Sequence, residues 1–168
     1  MYTKNFIKFV LILTITATFF GCQDKNIESY NDISKKHQES IQQAFAELNN
    51  SITYYNNKEY KKAKQSAQNC QQLFSQTKAI SQEAKSIAQD IKGKEWLADY
   101  KNYSIQSEDL RIKQCKLLYE VSITTENKEN EKSQKLIDEI SALNNEYDKL
   151  QITLEDIKAQ HPESFKNQ

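Results

Sequence analysis

The chain is short of the residues that turn a backbone. Two glycines and one proline stand among 168 residues, and Gly21 falls in the first apolar stretch, so Gly93 is alone over the rest. Sheets and loop-rich folds need Gly and Pro at their turns. A chain this poor in both, and rich in Lys, Glu, Gln and Ala, is nearly all helix. Net charge is missing too, since 23 basic residues balance 23 acidic ones. That balance leaves no footprint for nucleic acid and no polybasic membrane patch. Also absent are a Gly-rich phosphate loop, a nucleophile elbow, a helical H-E-x-x-H and any Cys/His cluster. No catalytic residue, metal ligand or cofactor is assigned, and the chain is read as a non-enzyme.

What is present begins with FVLILTITATFFGC, from Phe9 to Cys22, with Lys4 and Lys8 just ahead. Two lysines, an apolar run and a small residue before a cysteine make a secretion signal. The ending Phe19-Phe20-Gly21-Cys22 resembles the lipobox of prokaryotic lipoproteins. Gly21 and Cys22 fit that pattern, while Phe20 stands where a small residue is usual. The resemblance implies cleavage before Cys22, diacylglycerol on its thiol, and a cell-membrane anchor on the extracytoplasmic side. The competing reading is an uncleaved anchor, but the run makes ~20 Å of helix against a hydrocarbon core of ~30 Å. It would have to recruit Phe6 and Ile7 past Lys8. Residues 1–21 are thus read as signal peptide and 22–26 as a lipidated tether. Losing Lys4 and Lys8 takes the 23 basic residues to 21 against 23 acidic, a net charge of −2.

From Ile27 the apolar residues recur in threes and fours, the period of a helix with one buried face. The first stripe runs Ile27, Tyr30, Ile33, His37, Ile41, Ala44, Leu48, Ile52, Tyr55. Asn56 and Glu59 are read as a capping pair. The second stripe, Tyr60 to Ile91, ends at Gly93, a residue suited to the left-handed conformation beyond a helix. The third is Trp96, Tyr100, Tyr103, Ser107, Leu110, Gln114, Leu117, Val121, and its polar middle, Ser107-Glu108-Asp109, could start a new helix. The fourth runs from Leu136 to Ile157, is stopped by Pro162, and leaves 162–168 as a disordered tail. The expected fold is all-α: an antiparallel up-down four-helix bundle over 27–161, with coiled-coil-like helices at 27–56, 58–92, 95–124 and 128–161. A single rod running through Gly93 is the alternative, because one glycine costs a helix only ~1 kcal/mol.

Three groups of residues need weighing on that frame. Tyr54-Tyr55-Asn56-Asn57-Lys58-Glu59-Tyr60 through Ala63 resembles the helix-turn-helix junction of a tetratricopeptide repeat, with Lys58 in place of the usual turn glycine. The motif is read as occurring once, with no copy about 34 residues on, so the resemblance implies the turn and not peptide binding. Tyr54, Tyr55 and Tyr60 gather at that turn and are candidates for partner binding, tyrosine joining apolar area to a polar tip. His37 and His161 lie ~21 Å apart along the bundle, too far to share a metal, and His37 is expected half wet. Cys70 and Cys115 lie at matching distances either side of Gly93, so an antiparallel hairpin brings them level. In an exported chain whose Cys22 carries lipid they form an even pair, and a Cys70–Cys115 disulfide is expected.

The chain is similar to the many small prokaryotic lipoproteins of unassigned role, on its signal and helical body alone. The reading is a membrane-anchored, extracytoplasmic structural or protein-interaction module, monomeric, with an envelope protein as candidate partner at the tyrosine end. Two alternatives stay open: a sensor or small-ligand binding bundle with a polar pocket near Ser107 and Gln114, and an oligomeric coiled-coil spacer. A cavity between helices 2 and 3 would favour binding, and a solid core with an aromatic tip would favour interaction.

Overall fold

The threes-and-fours spacing is realised as four helices of 30 to 32 residues in a computed structural model. It describes residues 25–165, so the signal segment, Cys22 and most of the tether lie outside the described residues. The helices are α1 Lys25–Asn56, α2 Tyr60–Gln89, α3 Trp96–Glu126 and α4 Asn130–Gln160, followed by a 3-10 turn at Pro162–Ser164. The architecture is the expected all-α four-helix bundle, and no strand occurs among the described residues.

Side-chain pairs fix the directions. Ser51 Oγ donates to the Ala63 carbonyl at 3.0 Å and Ser40 lies 2.7 Å from Thr77, so α1 and α2 run antiparallel. Lys64 with Glu126 and Lys85 with Asn102 do the same for α2 and α3. Ser133 with Thr124 and Arg111 with Asn144 do so for α3 and α4. Packing follows chain order, α1 on α2, α2 on α3, α3 on α4. No Cα atoms of α1 and α4 come within 8 Å, so that seam is closed by side chains alone.

The face of α2 explains the tight part of this order. Ala63, Ala67, Cys70, Ala84 and Ala88 are fully buried, with Thr77 and Ser81, and Phe74 is the one large side chain among them. Small residues let helix axes approach more closely than large ones do. Cys70 and Cys115 profit directly: their Cα atoms are 5.9 Å apart and the two thiols stand at disulfide-bonding distance. The hairpin folded at Gly93 is thereby found and the single rod is not. Gly93 has φ of 74°, the left-handed region where glycine is favoured.

The backbone turn at Lys58 recurs at Lys128, although the tyrosines and Ala63 that carry the tetratricopeptide resemblance do not. Lys58 at φ 62° and Lys128 at φ 64° occupy the same place in two turns 70 residues apart. In the first, Glu59 N–H donates to Tyr54 at 2.8 Å and Lys58 N–H to Tyr55 at 2.9 Å; in the second, Glu129 N–H donates to Thr124 at 2.8 Å and Lys128 N–H to Thr125 at 3.0 Å. Asn-Lys-Glu spells both turns, at 57–59 and 127–129. The molecule is therefore two helical hairpins of one design joined by residues 90–95.

Other local expectations change. Glu59 makes no side-chain cap to α2, because its carboxylate is held by Lys62, and Asn56 ends α1. The polar middle of the third stripe starts no new helix. Ser107 returns its hydroxyl to the Tyr103 carbonyl at 3.0 Å, and α3 runs unbroken. The start of the tail, expected to be disordered, is docked: Phe165 packs on Trp96 and Tyr100 at ring distances of 5.6 and 5.1 Å.

A left-handed lysine carries a steric cost that glycine does not. Lys58→Gly and Lys128→Gly should each raise stability by roughly 0.5–1 kcal/mol, after the added freedom of the unfolded chain is subtracted. Urea unfolding midpoints measure this, and a fall in midpoint for both variants would contradict the turn geometry.

Candidate functional site: a charged cleft between α1 and α4

The buried apolar residues form two clusters, one at each end of the bundle. Ala44, Leu48, Ala67, Phe74, Cys115 and Leu118 gather toward the Asn-Lys-Glu turns. Tyr30, Ile33, Ala84, Ala88, Ile91 and Leu97 gather toward the link at Gly93. Between and beside them each helix carries polar side chains: His37 and Ser40 on α1, Thr77 and Ser81 on α2, Lys101, Ser104 and Glu108 on α3, Gln151 and, near its end, Lys158 on α4. A cleft of about 350 Å³ opens at this level, between α1 and α4, with α3 as its floor.

Glu108 is the centre of the belt and is 1% exposed. One carboxylate oxygen, Oε1, accepts from His37 Nε2 at 2.6 Å and from Ser81 Oγ at 2.8 Å, tying α1 and α2 to α3. The other, Oε2, is buried with no hydrogen-bond partner among the described residues. His37 is not half wet, since its side chain is 13% exposed and turned inward to this bond. Burying a carboxylate without full satisfaction is costly, so each bond made to Glu108 matters.

Arg111, one turn on, is held at the side of the cleft. Its guanidinium carbon lies 3.4 Å from the ring centre of Tyr147 on α4 and 5.5 Å from that of Phe45 on α1. It donates to Asn144 at 2.8 Å and to Gln114. Burial lowers its pKa, and burial likewise raises that of Tyr147, with Arg111 opposing. Stacking between two rings is a favoured setting for a guanidinium, and here it fastens α1 to α4 across α3.

Lys101 is the opposite case. It is 3% exposed, and its ammonium lies 5.6 Å from the ring centres of both Tyr30 and Tyr100, with no hydrogen bond or ion pair among the described residues. Burial pushes its pKa down to about 8, against the opposing pull of Glu108. Lys158, across the cleft, is already paired with Glu155 at 2.8 Å. The aromatic rings of Tyr30 and Tyr100 are themselves desolvated, and burial raises both phenols. Among the described residues the cleft therefore holds two cations without an ion pair: Arg111, which is hydrogen-bonded and stacked between rings, and Lys101, which has only ring contacts.

Of the residues singled out by sequence, His37 and Ser107 line the cleft and the others fall elsewhere. Tyr55 hydroxyl lies 3.1 Å from Thr125, its ring meets Tyr60 at 5.9 Å, and Tyr54 sits under Lys62. All three are half-buried and engaged within the bundle end. His161 stacks on Trp96 at 4.0 Å. Among the described residues no group of three or more His, Cys, Asp or Glu is arranged to hold a metal. Ser107 lines the cleft, but Gln114 does not, and the cleft lies between α1 and α4 rather than α2 and α3. Lys101, Glu108 and Arg111 were not singled out. Their signal is the spacing 101, 104, 108, 111, a helical stripe of polar residues in line with Leu97 and Cys115. A larger groove of about 570 Å³ lies beside Asn31, Asp32 and Lys35, but these side chains are solvent-exposed. No helix among the described residues is long and apolar enough to cross a membrane. No protein-family model, curated protein or solved structure matches this chain.

The buried lysine has a consequence for stability. Its folded pKa of about 8 lies below the ordinary lysine value of 10.5, so at neutral pH folding must bury a charge that the unfolded chain keeps solvated. The difference amounts to roughly 3 kcal/mol. Between pH 8 and 10 the folded protein releases that proton and the unfolded chain does not, so stability should rise with pH. Above pH 10 the raised phenols of Tyr30 and Tyr100 act in the other sense. Lys101→Met should remove the rise and be the more stable protein at pH 7. Chemical denaturation at pH 7, 8, 9 and 10 tests both statements, and a destabilised, still pH-dependent Met variant would contradict them.

Proposed function

We propose that this chain is a lipid-anchored, extracytoplasmic binding module that takes a small ligand into the α1–α4 cleft. One observation carries the reading: Lys101, buried and uncompensated, borders an open space where a structural bundle would place an apolar side chain. Large buried charge is retained where it has a use, because apolar replacement is commonly neutral or stabilising. A cleft with apolar walls and a few convergent polar groups is the usual form of a ligand site. The interaction-module reading is weakened by the engagement of Tyr54, Tyr55 and Tyr60 within the bundle end, which suits them as a plug. No catalytic step is assigned.

The anchor rests on the lipobox-like ending at Cys22, and the extracytoplasmic side is in keeping with a Cys70–Cys115 bridge. Cys22→Ser should leave an unprocessed precursor and move the mature protein out of the detergent phase. A Ser variant that is processed and partitions like wild type would remove the lipoprotein reading.

Ligand binding has its own test. Native mass spectrometry of protein purified from its own envelope should reveal a small-molecule adduct, lost on unfolding and depleted in Lys101→Met. The double variant Tyr54→Ala, Tyr55→Ala should keep it. An adduct absent from wild type, or present undiminished in Lys101→Met, would return the distal end to the leading place.

A further inference from the structure

We propose that the ligand of this cleft is a small amphipathic organic anion, whose negative group pairs with Lys101 and whose apolar body lies against the aromatic and aliphatic walls. The inference rests on the cleft being a ligand site, and it narrows the chemistry of what that site takes.

Charge is the first argument. Two cations and one carboxylate of α3 share the cleft, and Lys158 is matched by Glu155. Arg111 is fixed by Tyr147, Phe45 and Asn144, so it is a fastening rather than a free receptor. Glu108 spends one oxygen on His37 and Ser81. Ser34 Oγ, Glu108 Oε2 and Arg111 Nε lack hydrogen-bond partners among the described residues but are sealed from solvent. What remains is Lys101 Nζ, an ammonium with no ion pair that borders the open space. A molecule that answers it must be acidic.

The walls supply the second argument. Tyr100 and Phe165 stand at the Lys101 end, Phe45 and Tyr147 at the Arg111 end, with Ile41 and Leu154 between. A hydrated inorganic anion gains nothing from such walls, whereas an aromatic or aliphatic body gains by leaving water. The volume, about 350 Å³, is near the lower end of the usual range for ligand pockets, roughly 300–1,000 Å³, so a small organic acid fits the site.

The experiment compares matched pairs. Aryl-acetic acids and six- to eight-carbon alkanoic acids, each with its own primary amide, are titrated into the full-length protein by calorimetry at pH 7. At least one acid should bind ten-fold or more tightly than its amide. Lys101→Met should bring acid and amide to parity while remaining folded by thermal unfolding. Lys101→Arg keeps the charge and should keep the preference.

The pH profile adds a readout that packing alone would not move. Groups facing Lys101 are Tyr30 from α1, Tyr100 and Glu108 from α3, and Lys158, itself paired with Glu155, from α4; on α2, Lys85 is bonded to Asn102. Of these, Lys101 loses its charge between pH 7 and 9.5, so the acid preference of wild type should fall there and that of Lys101→Arg should not. If no acid surpasses its amide, or Lys101→Met retains the preference, the anion assignment is overturned. The binding reading then stands or falls separately on the adduct seen by native mass spectrometry.

Discussion

The size of the side chains on α2 governs the rest of the molecule. Ala63, Ala67, Cys70, Ala84 and Ala88 present almost nothing beyond a β-carbon or a thiol, and they are fully buried. With neighbours on two sides, such a helix draws α1 and α3 close and sets them parallel to one another. Hence His37 of α1 reaches Glu108 of α3 at 2.6 Å across a helix that offers only Ser81 between them. The fourth helix has no such partner face. It packs on α3 alone, and its seam with α1 is made by Phe45, Arg111 and Tyr147. Tight packing on one side of the bundle and loose packing on the other is what leaves room for a cleft.

Much of this was legible from the residues. The scarcity of glycine and proline, with stripes in threes and fours, was enough for four helices, because burial of one face fixes helix phase directly. Equal spacing about Gly93 was enough to bring Cys70 and Cys115 together, since an antiparallel hairpin equates distances from its turn. The second Asn-Lys-Glu turn was visible as letters but lay at twice the interval searched. Its equivalence is one of backbone shape, φ near 60° at Lys58 and Lys128, which lysine does not advertise.

The site was not legible, and the reason is specific. The third stripe, read through Trp96, Tyr100, Tyr103 and Ser107, follows large apolar residues that are only half-buried in part. The deeper line runs one residue along: Leu97, Lys101, Ser104, Glu108, Cys115, Leu118, all buried. Hydrophobic periodicity cannot find a core line whose middle members are charged, because it counts Lys and Glu as solvent-facing. Cys115 sitting one position off the apolar stripe was the trace of the correct phase. A helix flanked by two neighbours buries an arc wide enough to hold both lines, which is why Leu110 and Val121 are buried as well.

The arrangement of the belt bears on why the fold can contain it. A cation such as Lys101 disfavours folding wherever it is buried, and a half-satisfied carboxylate beside it adds to the cost. Placed at a helix end, such groups would invite fraying, where the backbone already lacks partners. Here Glu108 lies at mid-height between the two apolar clusters, while Lys101, in the second turn of α3, is held against Tyr30 of the cluster near Gly93, and the Cys70–Cys115 contact lies two turns beyond Glu108. Helix formation is cooperative, so a polar stretch bounded by packed turns stays helical when its own packing is poor. Ser104, Ser107 and Ser122 further quiet the backbone's surroundings by returning their hydroxyls to carbonyls one turn back. The local deficit is thus carried by the packed clusters, and what it leaves is a buried ammonium, Lys101 Nζ, bordering an open space.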